Sequence, residues 1–186
     1  MISRLLCLCV LVAAAAGAAA AELPYGVLDI ALGTSFSRLE RDLDFRDIDA
    51  ALARPGKPDF GRRGYGCMAR DDDFADTACV SHAERLNDIE TREIRLHFLE
   101  GRLQQFSLTA EIQHYEAVTA YLRARYGTPQ PLPAANAGGE PRLQWQSEAA
   151  RIDAYRGKDL VFVNFELTSY PAAMQRKRDG KRLQCD

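Results

Sequence analysis

Three histidines, five cysteines and one acidic run are the residues of this 186-residue chain whose chemistry could reach beyond packing. His82, His97 and His114 stand in no HExxH, HxH or Cys/His spacing that would hold zinc. His97 is expected on a strand face opposite its apolar neighbours, as a solvated or half-buried structural imidazole. No Ser sits in a G-x-S-x-G elbow and there is no Walker loop. The glycine run Gly61-Arg62-Arg63-Gly64-Tyr65-Gly66 lacks the spacing and the following helix of a dinucleotide fingerprint. The run Asp71-Asp72-Asp73-Phe74-Ala75-Asp76 offers the hard oxygen ligands that calcium takes, but not the ligand spacing or closing Glu of an EF-hand loop. A solvated acidic loop is the expectation. Paired carboxylates for glycoside hydrolysis are defined by distance in space, which spacing along the chain does not reveal. No catalytic residue, cofactor or metal site is therefore predicted.

What thiol chemistry remains depends on where the chain goes. Residues 1–21 have one early cation, Arg4, an apolar run from Leu5 to Val12, and a small-residue end at Ala19-Ala20-Ala21 before Glu22. These are the parts of a cleaved secretory signal peptide. Much of the stretch is Ala and Gly, which favours cleavage over anchoring. Cys7 and Cys9 precede the end of the apolar run, the wrong place for a lipidated cysteine. The Ala- and Arg-rich composition makes the periplasm the expected destination.

Cleavage would remove Arg4 and no acid, leaving 23 basic against 26 acidic residues, a net of −3. That balance argues against nucleic acid, which rewards clustered cations, and no later segment is long and apolar enough to span a membrane. Cys67, Cys79 and Cys185 stay in a compartment where disulfides persist. Cys67 and Cys79 flank a short polar loop and are the favoured pair. That pairing lowers the scope for a reactive thiolate. Cys185 is left to be free, to link two chains, or to compete for one of the other two; the oligomeric state stays open.

The elements that must position these groups follow from periodicity. Leu23 to Leu32 reads as a first strand, and Phe36, Leu39 and Leu43 as one face of a short helix that Thr34 or Ser35 can cap. Residues 53–90 are the least regular. Ile94, Leu96 and Phe98, then Gln104, Phe106 and Leu108, predict a hairpin. A three-residue loop Leu99-Glu100-Gly101 would pair Leu96 with Gln104 and Ile94 with Phe106, whereas a two-residue loop at Glu100-Gly101 would send the two apolar sets to opposite faces. A helix from about Gln113 to Tyr126 ends at Gly127 and Pro129. A three-stranded meander closes the body at Leu143–Gln146, Arg151–Tyr155 and Leu160–Thr168. The polar, basic tail from Gln175 to Asp186 is expected to fray.

The expected fold is α+β: an antiparallel sheet of about five to six strands with two main helices packed on one face, parsed as two helix-plus-strands units. Residues 1–21 form the signal peptide, 22–174 a single exported domain with a cysteine-closed loop around 61–80, and 175–186 a basic tail.

Leu32-Gly33-Thr34-Ser35-Phe36-Ser37-Arg38-Leu39 resembles the entry into a short amphipathic helix seen in small bacterial envelope proteins, the SmpA/BamE-like assembly lipoproteins and the β-lactamase-inhibitor-like folds. Leu99-Glu100-Gly101-Arg102-Leu103 and the 121–129 segment have the look of periplasmic domains. The resemblance implies helices on an antiparallel sheet and action by binding other proteins. The functional expectation is a non-catalytic periplasmic binding domain for an envelope or secreted protein. The alternatives are a small hydrolase whose acidic residues converge only in space, or an inhibitor of a secreted enzyme. Arg62, Arg63 and Tyr65, beside Cys67, are the candidate partner contacts, since Arg and Tyr are enriched at interface hot spots; a flexible surface loop is the plainer reading.

Overall fold

The computed structural model describes residues 25–28, 30–47, 64–70, 72–82, 84–133 and 141–185. Residues 1–21, expected to be a signal peptide, and Arg62, Arg63 and Asp71 lie outside the described residues. In chain order the elements are β1 (Gly26–Val27), β2 (Ile30–Ala31), α1 (Phe36–Asp42), β3 (Phe45–Asp47), β4 (Tyr65–Ala69), β5 (Thr77–Ser81), β6 (Arg85–Leu86), β7 (Ile89–Leu99) and β8 (Arg102–Glu111). There follow a 3-10 turn (Ile112–His114), α2 (Tyr115–Tyr126), β9 (Gln130–Leu132), β10 (Arg142–Gln146), β11 (Ala150–Arg156), β12 (Leu160–Leu167) and α3 (Tyr170–Cys185).

Among the described residues one ten-stranded sheet dominates, in the order β3-β4-β5-β7-β8-β12-β11-β10-β9, with β6 paired to β7 off that path. β1 and β2 form a separate two-stranded ladder, so the single first strand expected over Leu23–Leu32 is in fact a tight hairpin. Within the large sheet only β3 and β4 run parallel. The expected five to six strands with two helices on one face is thus overturned. Strands β3 to β6 and β9 enlarge the sheet, and the three α-helices among the described residues do not share a face.

The predicted meander is present, with Ile152 opposite Phe165 and Leu143 opposite Ala154. The β7–β8 hairpin corrects its expected register. The loop has two residues, Glu100 (φ 54°) and Gly101 (φ 68°), both left-handed as a two-residue I′ connection requires. Leu99 then pairs Arg102 and Phe98 pairs Leu103, but His97 pairs Gln105. Gln104 is a bulge residue, and this one extra residue returns Phe106 and Leu108 to the face of Leu96 and Ile94. The objection to a two-residue loop assumed an unbroken ladder.

The core face of the sheet holds Ile94, Leu96, Phe106, Leu108, Val161, Val163 and Phe165, each at most 1 % exposed. Burying such a side chain contributes about 1.5–3 kcal/mol. Leu39 of α1, Val118 and Leu122 of α2, and Val27 and Ile30 of the small ladder pack into the same cluster. Ser35 stands at the N-cap of α1 without a side-chain cap bond; backbone bonds tie that end to the hairpin instead, from Phe36 N to Gly101 O and from Leu103 N to Thr34 O. α2 ends at Gly127 (φ 81°), whose carbonyl accepts the indole N–H of Trp145 at 2.8 Å. The Tyr126 hydroxyl donates to Gly26 O and accepts from Gly26 N, fastening the small ladder to α2.

Phe98 and Leu99 are consecutive strand residues, so they point to opposite faces. Phe98 joins the main core, while Leu99 forms a second cluster with Tyr170 and Ala173. α3 therefore lies across the outer face, at the hairpin end of β7 and β8. The tail expected to fray is helical through Cys185. The Cys185 side chain, and with it the question of a link between chains, lies outside the described residues.

Candidate functional site

The outward residues of β4, β5 and β7, together with the 70–75 turn, line a groove of about 450 Å³. Its apolar lining comes from Met68, Ala78 and Val80, spaced by two so that they share the face opposite the core. Phe74, from the turn, is 59 % exposed, the one exposed large hydrophobic side chain among the described residues. Two ion pairs border the groove. Arg70 Nε donates to Asp72 Oδ2 at 2.7 Å, and Arg95 donates with two nitrogens to the Glu93 carboxylate.

His97 also lines the groove and lies on the outer face, as expected of it. Its Nδ1 donates to Gln105 Oε1 at 3.0 Å. Burial pushes the imidazole below its ordinary value, an effect offset only in part by the Gln105 bond and the Asp72 charge. The folded state then binds fewer protons here than the unfolded chain. This stability contribution is fully present above the ordinary histidine value and is lost as pH falls from there through the lower folded-state value. His97→Phe is expected to flatten the fall in urea-unfolding free energy between pH 7.5 and 5; an unchanged slope would remove His97 as its source.

Of the acidic run, the described Asp72, Asp73 and Asp76 each have a structural partner. Asp72 Oδ1 accepts the backbone N–H groups of Phe74 and Ala75, both at 3.0 Å, closing a local turn. Desolvation is outweighed by the Arg70 hydrogen bond, then by these backbone bonds and the Arg70 charge, which together hold the Asp72 carboxyl below its usual range. Asp76 accepts Glu100 N at 2.8 Å and pairs with Lys177 at 2.9 Å, and Asp73 faces Lys181 at 3.9 Å. Among the described residues no group of three or more His, Cys, Asp or Glu could hold a metal ion.

Of the residues singled out in the sequence, Cys67 and Cys79 are joined, with S–S 2.07 Å, as a directly opposed pair of β4 and β5. Tyr65 is 2 % exposed and packs edge-on against Phe45. Burial, with the Glu84 charge second, raises its hydroxyl pKa far above the ordinary phenol. It is a core residue and cannot serve as a partner contact. Arg62 and Arg63 lie outside the described residues. The groove residues were missed because they belong to three strands and a turn. The available signal was the alternation Gly66, Met68, Arg70 and Ala78, Val80, His82, legible only once β4 and β5 are recognised as strands.

One carboxylate pair does converge elsewhere on the outer face. Arg151 reaches Glu166 at 2.9 Å and Asp153 at 3.1 Å, and Gln144 donates to Asp153 at 2.9 Å. Burial, then the Asp153 charge, raises Glu166 against the lowering effect of Arg151. A guanidinium set between two carboxylates offsets part of their mutual repulsion, the arrangement of a structural ion cluster.

No protein-family model and no curated protein matches the chain. A solved structure described as a GTP binding regulator from Thermotoga maritima is similar over 71% of this chain and 84% of its own, at 13% identity and a TM-score of 0.36. A score that low carries no weight for fold or function. No helix among the described residues is long and apolar enough to cross a membrane.

Proposed function

We propose that this chain is a non-catalytic periplasmic binding domain for another envelope or secreted protein, and that it binds through the outer-face groove. The single observation behind this is the groove itself, which combines an apolar floor, the exposed Phe74 ring and ion pairs at the border. That is the make-up of an interface patch, with a desolvated centre and a polar rim. The leader-like residues 1–21, the Cys67–Cys79 bridge and the short resemblance to envelope proteins favour the same setting. An inhibitor of a secreted enzyme would be one case of such a binder.

Mature protein starting at Glu22 is expected in the periplasmic fraction. A photo-crosslinking residue placed at Met68 or Val80 should capture one partner there, and the same probe at Arg41, exposed on α1, should not. Val80→Arg should reduce capture by about tenfold or more, as loss of a central apolar contact does. Equal capture from Arg41, or capture untouched by Val80→Arg, would rule the groove out.

A further inference from the structure

We propose that α3 is a releasable strap, held across the hairpin end of the sheet by charge, and that its release loosens one wall of the groove. Few of its described side chains are buried, and those are in its first turn: Tyr170 and Ala173, against Leu99. Beyond Met174 the described side chains reach the body through charged groups. Arg176 donates with two nitrogens to the Glu100 carboxylate at 3.0 and 2.9 Å, with both side chains at least half exposed. Lys177 reaches Asp76 at 2.9 Å and the Ala75 carbonyl at 2.6 Å, and Lys181 faces Asp73 at 3.9 Å. These acceptors lie in two turns, residues 73–76 and the β7–β8 loop.

The helix has little to hold it once it leaves this seat. Lys177 and Lys181, and Arg178 and Arg182, are like-charged pairs four residues apart, which oppose helix formation. Gly180 sits inside the helix, where it weakens the backbone. The acids of the body therefore supply the compensation; salt screens the exposed Arg176–Glu100 pair most and the less exposed Lys177–Asp76 pair less. Undocking and melting should occur together.

The seat is also the groove wall. Phe74 and Ala75 line the groove, and their carbonyls accept from Tyr170 and Lys177 of the strap. The Tyr170 hydroxyl, pushed up to about 12 by burial first, stays a donor at neutral pH. Release of the charged part, from Gln175 on, removes the Lys177 contacts to Ala75 and Asp76 that help fix this turn, while Tyr170 stays with the apolar anchor. The strap's release needs no partner, so it stands or falls separately from the binding role proposed above.

Hydrogen exchange of the mature chain at 20 mM and 500 mM NaCl tests this. Amides over 175–185 are expected to lose protection by roughly tenfold at the higher salt, with Asp76 loosening alongside them while β12 stays protected. Glu100→Arg and Arg176→Glu alone should each mimic high salt, and the two together should restore protection. Salt-independent protection, loss of α3 only together with β12, or a double variant that fails to recover would overturn the strap. Release of α3 with Asp76 unchanged would overturn the coupling to the groove.

Discussion

Replacing Cys67 and Cys79 together by Ala is expected to lower the unfolding free energy of the protein by about 3 kcal/mol, with reduction by dithiothreitol giving a comparable loss. The two cysteines are 12 residues apart, and a cross-link closing a loop of that size removes roughly this much chain entropy from the unfolded state. Both are buried in the main cluster, so some packing is lost as well. The effect should concentrate at one end of the sheet. β4 carries only the three-residue β3 on its far side, and the bridge ties it to β5, whose other neighbour is the long β7. For a domain of this size the melting temperature should fall by roughly 6–12 °C. A melt that is the same with and without reductant would show that the bridge contributes nothing.

Phe165→Ala is expected to cost about 4 kcal/mol, the typical cost of emptying a buried aromatic site. Phe165 has no exposed surface, lies on the central strand β12, and stacks on Phe106 with ring centroids 4.3 Å apart. Tyr126 meets it edge-on, so the cavity would open beneath the fastening of α2 to the small ladder. Phe162, three residues earlier, faces the other side, half-buried and stacked on Tyr155 at 5.2 Å. Its replacement by Ala should cost only about 1 kcal/mol. Urea unfolding of both variants checks the contrast, and similar losses from the two would contradict the assignment of faces.

Much of the half of the chain from Ile89 onward was legible before its structure. The alternation on β12, the face of Tyr115, Val118 and Leu122, and the stop at Gly127 are strong periodic signals, and each element forms where the pattern places it. The weak points have physical causes. Strands of two or three residues, such as β3 and β6, are too short to show a period of two. β4 and β5 hold two-residue alternations interrupted by Gly66 and by a cysteine pair, which reads as a loop until the pair is seen to be a register pair. Among its described side chains α3 carries its apolar anchor at Tyr170, Ala173 and Met174, and Arg176, Lys177 and Lys181 meet acids 76 or more residues away in sequence. Local pattern cannot report such a contact. The same holds for the groove, whose walls meet only through strand pairing.

The placement of β12 has a consequence for how the chain can be assembled. It is the last strand to be made, yet it lies between β8 and β11 and so joins the two halves of the sheet. Until residues 160–167 are delivered, β8 and β11 each present an unpaired edge, and the core side of the hairpin has no partner from the meander. A chain handed over N-terminus first therefore cannot lock early. It remains threadable, and open to edge-to-edge mispairing, until almost its whole length is free. Any truncation that removes β12 should leave two sticky half-sheets rather than a smaller version of the same body.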